Sequence, residues 1–411
     1  MEDSIEIMSP VGSHESLMAA IQAGTGSVYF GIGTLNMRSK SSVNFTAADL
    51  KEIVEQCKPL GIKTYLTINT VVYENDIETM RATVDAAKEN NVTAIIASDM
   101  STIIYARSKG VEVHISTQLN VSNSEALKFY AQFADVIVLA RELTLPQVKR
   151  IHKAIVDEQI TGPKGELVRI EMFVHGALCM AVSGKCYLSL HDNNHSANRG
   201  SCLQMCRRAY TVTDKETGKQ LDIENEYIMS PKDLCTIGFV DKLIESGVSV
   251  FKIEGRARAA EYVKTVTSCY REAIDSYFEH TYTSEKIEEW SNRLVSVFNR
   301  GFWDGYYQGQ QLGEWSEVYG SAATMKKVYI GKGMNYFSNL GVAEFLVETG
   351  ELTVGDKILI TGPTTGVIEM MVEEIRVDLK KVEKAVKGER FSMPVPERIR
   401  KADKLYKMTP A

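Results

Sequence analysis

Four of the chain's seven cysteines, Cys179, Cys186, Cys202 and Cys206, fall within GALCMAVSGKCYLSLHDNNHSANRGSCLQMCRRAY, and a fifth, Cys235, follows in SPKDLCTI. Thiolates are ligands of choice for soft metals and iron–sulfur clusters. The spacing, Cys179-x6-Cys186-x15-Cys202-x3-Cys206, contains neither the CxxC knuckle of structural zinc sites nor the CxxxCxxC of radical-SAM proteins. Irregular loop thiols converging from several segments suit an iron–sulfur cluster, whose four thiolates need only meet in space. Zinc, or thiols left free or redox-active, stay open on spacing alone. Cys57 and Cys269 sit inside predicted helices and read as small core residues.

A second constellation is KIEGRAR. Lys252, Glu254 and Arg256 are spaced two apart at a strand end and so lie on one side of it. They form either a reactive wall or, for Lys252 and Glu254, an internal ion pair. With His114, Gln118 and His175, Lys252 and Glu254 make up the candidate acid–base set; His114 suits a hydrogen-bonded barrel histidine equally well. Asn69, Ser98, Asp99, Thr117, Arg141 and Glu142 also follow predicted strands, with helix capping the simpler role for Ser98 and Asp99.

Such residues need a scaffold that gathers strand ends. Over about the first 270 residues, short β-branched or aromatic runs alternate with amphipathic segments of helical period. The strand candidates are IEIMSP, SVYFGI, KTYLTINT, TAIIAS, VEVHIST, DVIVLA, VRIEMFVHG and VSVFKIEG. Helix candidates between them, such as HESLMAAIQAG and LPQVKRIHKAI, carry Ser, Thr or Asn start signals and Gly stops. Eight βα units predict an α/β fold, a TIM-type (β/α)8 barrel, with chemistry at the C-terminal ends of the strands. About sixty residues separate the seventh strand from the next helix, where a βα loop usually needs about 2–6, and this swelling holds the cysteines. Past the barrel come an amphipathic helix, a Gly/aromatic connector and short strands with Gly turns. The expected domains are a TIM-like barrel over 1–285 with a Cys-rich insertion at about 176–235, a connector over 286–324, and a small C-terminal all-β barrel domain over 325–411.

Composition is that of a globular protein, 44% hydrophobic and 24% charged. No apolar run approaches the roughly 18 residues that cross a bilayer, and the acidic start MEDSIEIMSPVG lacks the features of a signal peptide. A cytoplasmic protein without membrane partners is expected, and in that reducing compartment clustered thiols are poor disulfide candidates. The net charge of −6 argues against a chain that coats nucleic acid indiscriminately. Selective RNA contact stays open, since residues from Met325 onward carry 15 Lys+Arg against 12 Asp+Glu; this imbalance equally suits solvated faces.

EMFVHGALCMAVSGKCYLS resembles the signature of the peptidase U32 family, the collagenase-like proteins. The similarity extends through SPVGSHESLMAAIQAGTGSVYFG, HISTQLNVSN, NRGSCLQMCRRAY, MSPKDLC, FKIEGRARAAEYV and FNRGFWDGYY. It implies a TIM-like barrel followed by a small β-barrel, as the periodicity does. Branches of the family hydroxylate RNA or ubiquinone precursors with a 4Fe–4S cluster. The chain is most similar to the branch that converts the wobble uridine of tRNA to 5-hydroxyuridine using prephenate as co-substrate. On that resemblance Cys179, Cys186 and Cys202 are cluster ligands, with Cys206 and Cys235 competing for the fourth position. Prephenate is a dicarboxylate and calls for forked guanidinium donors: Arg256 and Arg258 first, then Arg38, Arg199, Arg207 and Arg208. The partners implied are tRNA, whose unpaired anticodon loop exposes the target base, and a paralogous U32 protein. Tyr187 or Tyr210 is placed to stack on that base, and RIRKADKLYK to track the RNA backbone.

The main rival is a U32-type peptidase. The chain has no GxSxG and no HExxH, and a Cys179–His175 pair would have to supply the nucleophile. A non-catalytic RNA-binding iron–sulfur protein is the third reading, against which the strand-end polar residues speak.

Overall fold

The computed structural model describes residues 5–40, 44–221, 229–310, 313–318 and 320–411. From its start the chain alternates β1 (Glu6–Pro10), α1 (His14–Gln22), β2 (Ser27–Phe30), α2 (Asp49–Cys57), β3 (Lys63–Ile68), α3 (Ile77–Glu89), β4 (Ala94–Ala97) and α4 (Met100–Ser108). It continues with β5 (Glu112–Ile115), α5 (Ser124–Ala131), β6 (Val136–Val138), α6 (Leu145–Asp157) and β7 (Arg169–Ala177). These seven strands pair in parallel, each with the next. After the insertion, which carries the short helix α7 (Leu188–Asn193), come β8 (Asp233–Cys235), α8 (Val240–Glu245) and β9 (Val248–Ile253). β9 pairs in parallel with both β7 and β1 and closes the eight-stranded barrel.

Local sequence explains the helix starts. Ser13 caps α1 by accepting from Ser16 N, Asp99 caps α4 by accepting from Ser101 N, and Thr144 with Gln147 forms a capping box on α6. Asp99 thus takes the capping role, while Ser98 Oγ donates to Asn69 O at 2.9 Å. Inside the barrel Met8, Tyr29, Tyr65, Ala94, Ile96, Val136 and Val250 pack together, and the opposite strand faces meet the helices in one large core. Cys57 and Cys269 are buried in that core.

The insertion is tied down at both ends. Its return strand β8 runs antiparallel to the end of β7, with Asp233 opposite Ala177 and Cys235 opposite His175, and in parallel with β10 (Phe302–Trp303). Between these anchors it crosses the barrel mouth. Asn198 O accepts from Val71 N, Gly200 O from Lys40 N and Ser183 O from the Asn120 side chain, which places it over the loops after β2, β3 and β5. Gly176 has φ +103, and a Cβ there would lie 2.4 Å from Glu254 O; only glycine lets β7 pass so close to the end of β9.

Helices α9 (Ala260–Phe278) and α10 (Ser284–Ser296) follow the barrel. Trp290 and Leu294 of α10, with Trp303 and Tyr307 beyond it, are buried against the barrel core, so the segment after α10 wraps the barrel. Tyr307 Oη donates to Phe173 O at 2.7 Å. From Met325 to Pro410 the chain forms an eight-stranded antiparallel sheet around its own core, including Ile330, Phe345, Ile358, Phe391 and Leu405. It docks on the barrel's helices: Gln22 of α1 bonds Thr365 O and Val367 N, and Lys264 of α9 donates to Val367 O. Among the described residues no helix is long and apolar enough to cross a membrane.

Candidate functional site

A cavity of about 190 Å³ opens where the C-terminal ends of the barrel strands meet the insertion. Cys179, Cys186, Cys202 and Cys206 all line it, and none is in a disulfide. Burial pushes the Cys186 and Cys206 thiols up, and in both the charges of neighbouring thiols push further, while Arg207 opposes the rise at Cys206. Cys235 does not line the cavity; burial beside Tyr270 pushes its thiol up to about 12. Of the two competitors for the fourth position, Cys206 is the one gathered with the other three. Their ligand atoms do not crowd together as those of a single ion would. Among the described residues the one such grouping is His14, Asp49 and Glu52, whose ligand atoms all lie within 4.8 Å and which lies outside the cavity. Four wider-set thiols lining one cavity could hold a cluster, whose thiolates sit on separate irons.

The cavity is also cationic. Arg38, Arg141, Arg207, Lys252, Arg256, Arg258 and Arg300 line it, and Glu254 is the one carboxylate among its described lining residues. Lys252 Nζ lies 2.6 Å from Glu171 Oε1, both buried. Arg38 grips Glu254 through Nε and Nη2 at 3.1 and 2.7 Å. Burial disfavours the charged form of Glu254, but Arg38, Arg141 and Arg256 outweigh it and hold the carboxyl at about 2. Arg258 and Arg300 flank Asp233 at 3.6 and 3.5 Å, with Arg258 3.6 Å over the Phe298 ring.

The other three guanidinium groups, among the described residues, bond only neutral groups. Arg256 Nη1 donates to Asn36 Oδ1 and Thr67 Oγ1, both at 3.0 Å, and burial lowers its pKa to about 10. Arg141 donates to Ala177 O at 3.1 Å and stacks 3.7 Å over the Phe173 ring. Arg207 donates to Ser230 Oγ, Pro231 O and Leu178 O. Buried cations without carboxylate partners favour an anionic ligand.

Several sequence candidates stand elsewhere. His114 is buried inside the barrel, between Glu112 at 3.5 Å and Glu171 at 3.8 Å, and among the described residues no histidine lines the cavity. His175 is buried among Tyr262, Tyr270 and Phe302, and burial with the Arg258 charge depresses its pKa to about 3. It is not among the described residues that line the cavity with Cys179. Arg199 pairs with Asp76 at 2.5 Å and stacks over Tyr73, which takes it out of the cavity wall. Gln118 lines the cavity and accepts from Asn69 Nδ2 at 3.3 Å. Tyr187 is 75% exposed, and Tyr210 is held by a bond to Met205 O. Sequence reasoning missed Arg300, which reaches the site only because β10 pairs with β8, and Asn36, whose orientation of Arg256 leaves no local signal.

Barrel, insertion and cavity together define a (β/α)8-barrel protein with a thiol-lined, cationic pocket at the barrel mouth. The chain belongs to peptidase family U32, whose model matches residues 12–317. It is 63% identical over 405 residues to a Porphyromonas gingivalis protein named collagenase, the match covering 98% of each. It is 32% identical over 366 residues to the tRNA hydroxylation protein P1 of Bacillus subtilis, covering 87% of this chain and 83% of that one. It is 34% identical over 276 residues to the 23S rRNA 5-hydroxycytidine C2501 synthase of Escherichia coli, covering 67% of this chain and 40% of that one.

Proposed function

We propose that this U32 enzyme hydroxylates the wobble uridine of tRNA to 5-hydroxyuridine, with prephenate as co-substrate and a 4Fe–4S cluster held by Cys179, Cys186, Cys202 and Cys206. The observation that carries this reading is the pairing of four disulfide-free thiols with three guanidinium groups lacking carboxylate partners, all in one cavity. When bound, such a cluster supplies one-electron redox chemistry shielded from water. Arg256 and Arg207 bind the carboxylates of the co-substrate through forked donors, and Arg141 adds its charge to theirs. Glu254 stays ionised at neutral pH and orients Arg38. Lys252, paired with Glu171 and 4.7 Å from the Tyr29 ring, adds a cationic side chain to the cavity lining. The RNA hydroxylation names of two relatives support an RNA substrate.

The name of the 63% identical relative favours the second reading, a peptidase. The cavity offers it little support: among the described residues no histidine lines it, and His175 is neutral and packed away. The deciding experiment is mass spectrometry of tRNA digests with and without the gene. The hydroxylase reading requires loss of 5-hydroxyuridine-derived nucleosides from tRNA while ribosomal RNA is unchanged; identical tRNA digests would refute it. Gelatin cleavage by a colourless, iron-free preparation would establish the peptidase instead.

A further inference from the structure

A second, smaller cavity of about 40 Å³ adjoins the first, sharing Arg141 and Cys179 with it. Its distinctive wall is aromatic: Trp303, Tyr306 and Trp315. Trp303 is 5% exposed and stands edge-on to Tyr306 with ring centroids 5.3 Å apart. Trp315 is held over the site by backbone pairing of its segment to residues 230–232, yet remains 37% exposed.

Two donors in this wall are buried without partners among the described residues: Trp303 Nε1 and Arg141 Nε. An orphaned N–H in a dry wall is costly, on the order of 1–3 kcal/mol each, and calls for a ligand acceptor. Glu142 supplies a carboxylate acceptor to the same cavity. By volume the space alone holds roughly three waters, so a flat π-system would enter it by one edge from the adjoining cavity, against the aromatic walls.

We propose that this side cavity is a subsite for a single uracil ring. The base-pairing edge of uracil presents acceptor, donor, acceptor: O2, N3–H and O4. The protein offers the complement, with Trp303 Nε1–H and Arg141 Nε–H donating to the two carbonyls and Glu142 accepting from N3–H. Cytosine fails this test, because its N3 is an acceptor that would face the Glu142 carboxylate. Trp303, Tyr306 and Trp315 supply the stacking surface, and the shared wall at Cys179 brings the seated base beside the four thiols.

The proposal rests on the RNA reading and is tested separately from it. Anaerobically purified protein is titrated with a synthetic anticodon stem-loop carrying uridine at the wobble position, and with the same RNA carrying cytidine or an abasic site there. The uridine loop is expected to bind at least about tenfold tighter. Trp303→Phe, which keeps a ring but removes the N–H, and Trp315→Ala, at the exposed rim, each reduce that preference below about threefold while leaving affinity for the abasic loop unchanged. If both variants keep the full preference, the subsite is overturned while the RNA reading stands. If the unaltered protein binds none of the three loops, the RNA reading itself falls and takes the subsite with it.

Discussion

Lys252 Nζ and Glu171 Oε1 lie 2.6 Å apart, the lysine at the cavity floor and the glutamate sealed in the barrel beneath it. Breaking a buried pair from one side strands the other charge, which costs about 3–5 kcal/mol. Lys252→Met is therefore expected to lower the urea midpoint markedly. Lys252→Met with Glu171→Gln recovers most of the loss, because neither charge is then left alone. Equal midpoints for the single and double variants would show that the pair does not hold the barrel together.

Below that pair, His114 makes stability depend on pH. Burial lowers its pKa, but Glu112 and Glu171 outweigh burial and raise it above the ordinary value; at 3.5 and 3.8 Å the attraction is between charges rather than through well-formed hydrogen bonds. The folded protein thus binds the His114 proton more tightly than the unfolded chain. The stabilisation is full below about pH 6.5 and is lost as pH rises through the folded-state pKa. His114→Gln is expected to flatten unfolding free energy against pH on the alkaline side of about 6.5, as denaturant titrations across that range would show.

The cysteines divide into two groups by position. Alanine at Cys179, Cys186, Cys202 or Cys206 is expected to abolish the brown chromophore and most of the iron of anaerobically purified protein. Alanine at Cys235, outside the cavity, leaves both in place. Iron assays and visible spectra decide this, and loss of iron in Cys235→Ala alone would reassign the fourth ligand.

Arg256 is positioned by Asn36 and Thr67, and among the described residues it bonds no carboxylate. Arg256→Lys keeps a charge but loses the fork, so KM for prephenate is expected to rise about tenfold with a smaller change in kcat. Steady-state kinetics of tRNA hydroxylation at varied prephenate provide the measurement, and an unchanged KM removes Arg256 from the anion site.

The alternation in KIEGR was legible as a strand end with Lys252, Glu254 and Arg256 on one side, and all three line the cavity. Their separate duties were not legible. Lys252 turns to Glu171, Glu254 to Arg38 and Arg256 to Asn36 and Thr67, because the partners come from β7, the loop after β2, and β3, all distant in sequence from KIEGR. His175 looked reactive beside Cys179, yet the β8 ladder buries it behind the cavity. Arg199 looked like an anion ligand, and Asp76, 123 residues away in sequence, claims it.

By itself the sequence determined the barrel, because the alternation of strand and helix periods is set by neighbours along the chain. It also determined that the chemistry belongs at the strand ends and that thiols crowd the seventh loop. Only the tertiary structure decided that Cys206 rather than Cys235 lines the cavity with the other three thiols, that three of its arginines bond no carboxylate among the described residues, and that Trp303 and Arg141, each with an unpaired N–H among those residues, line a side cavity. The reason is physical: those outcomes depend on where a long insertion lands across the barrel mouth. Contacts between segments far apart in sequence fix that landing, and no local pattern encodes them.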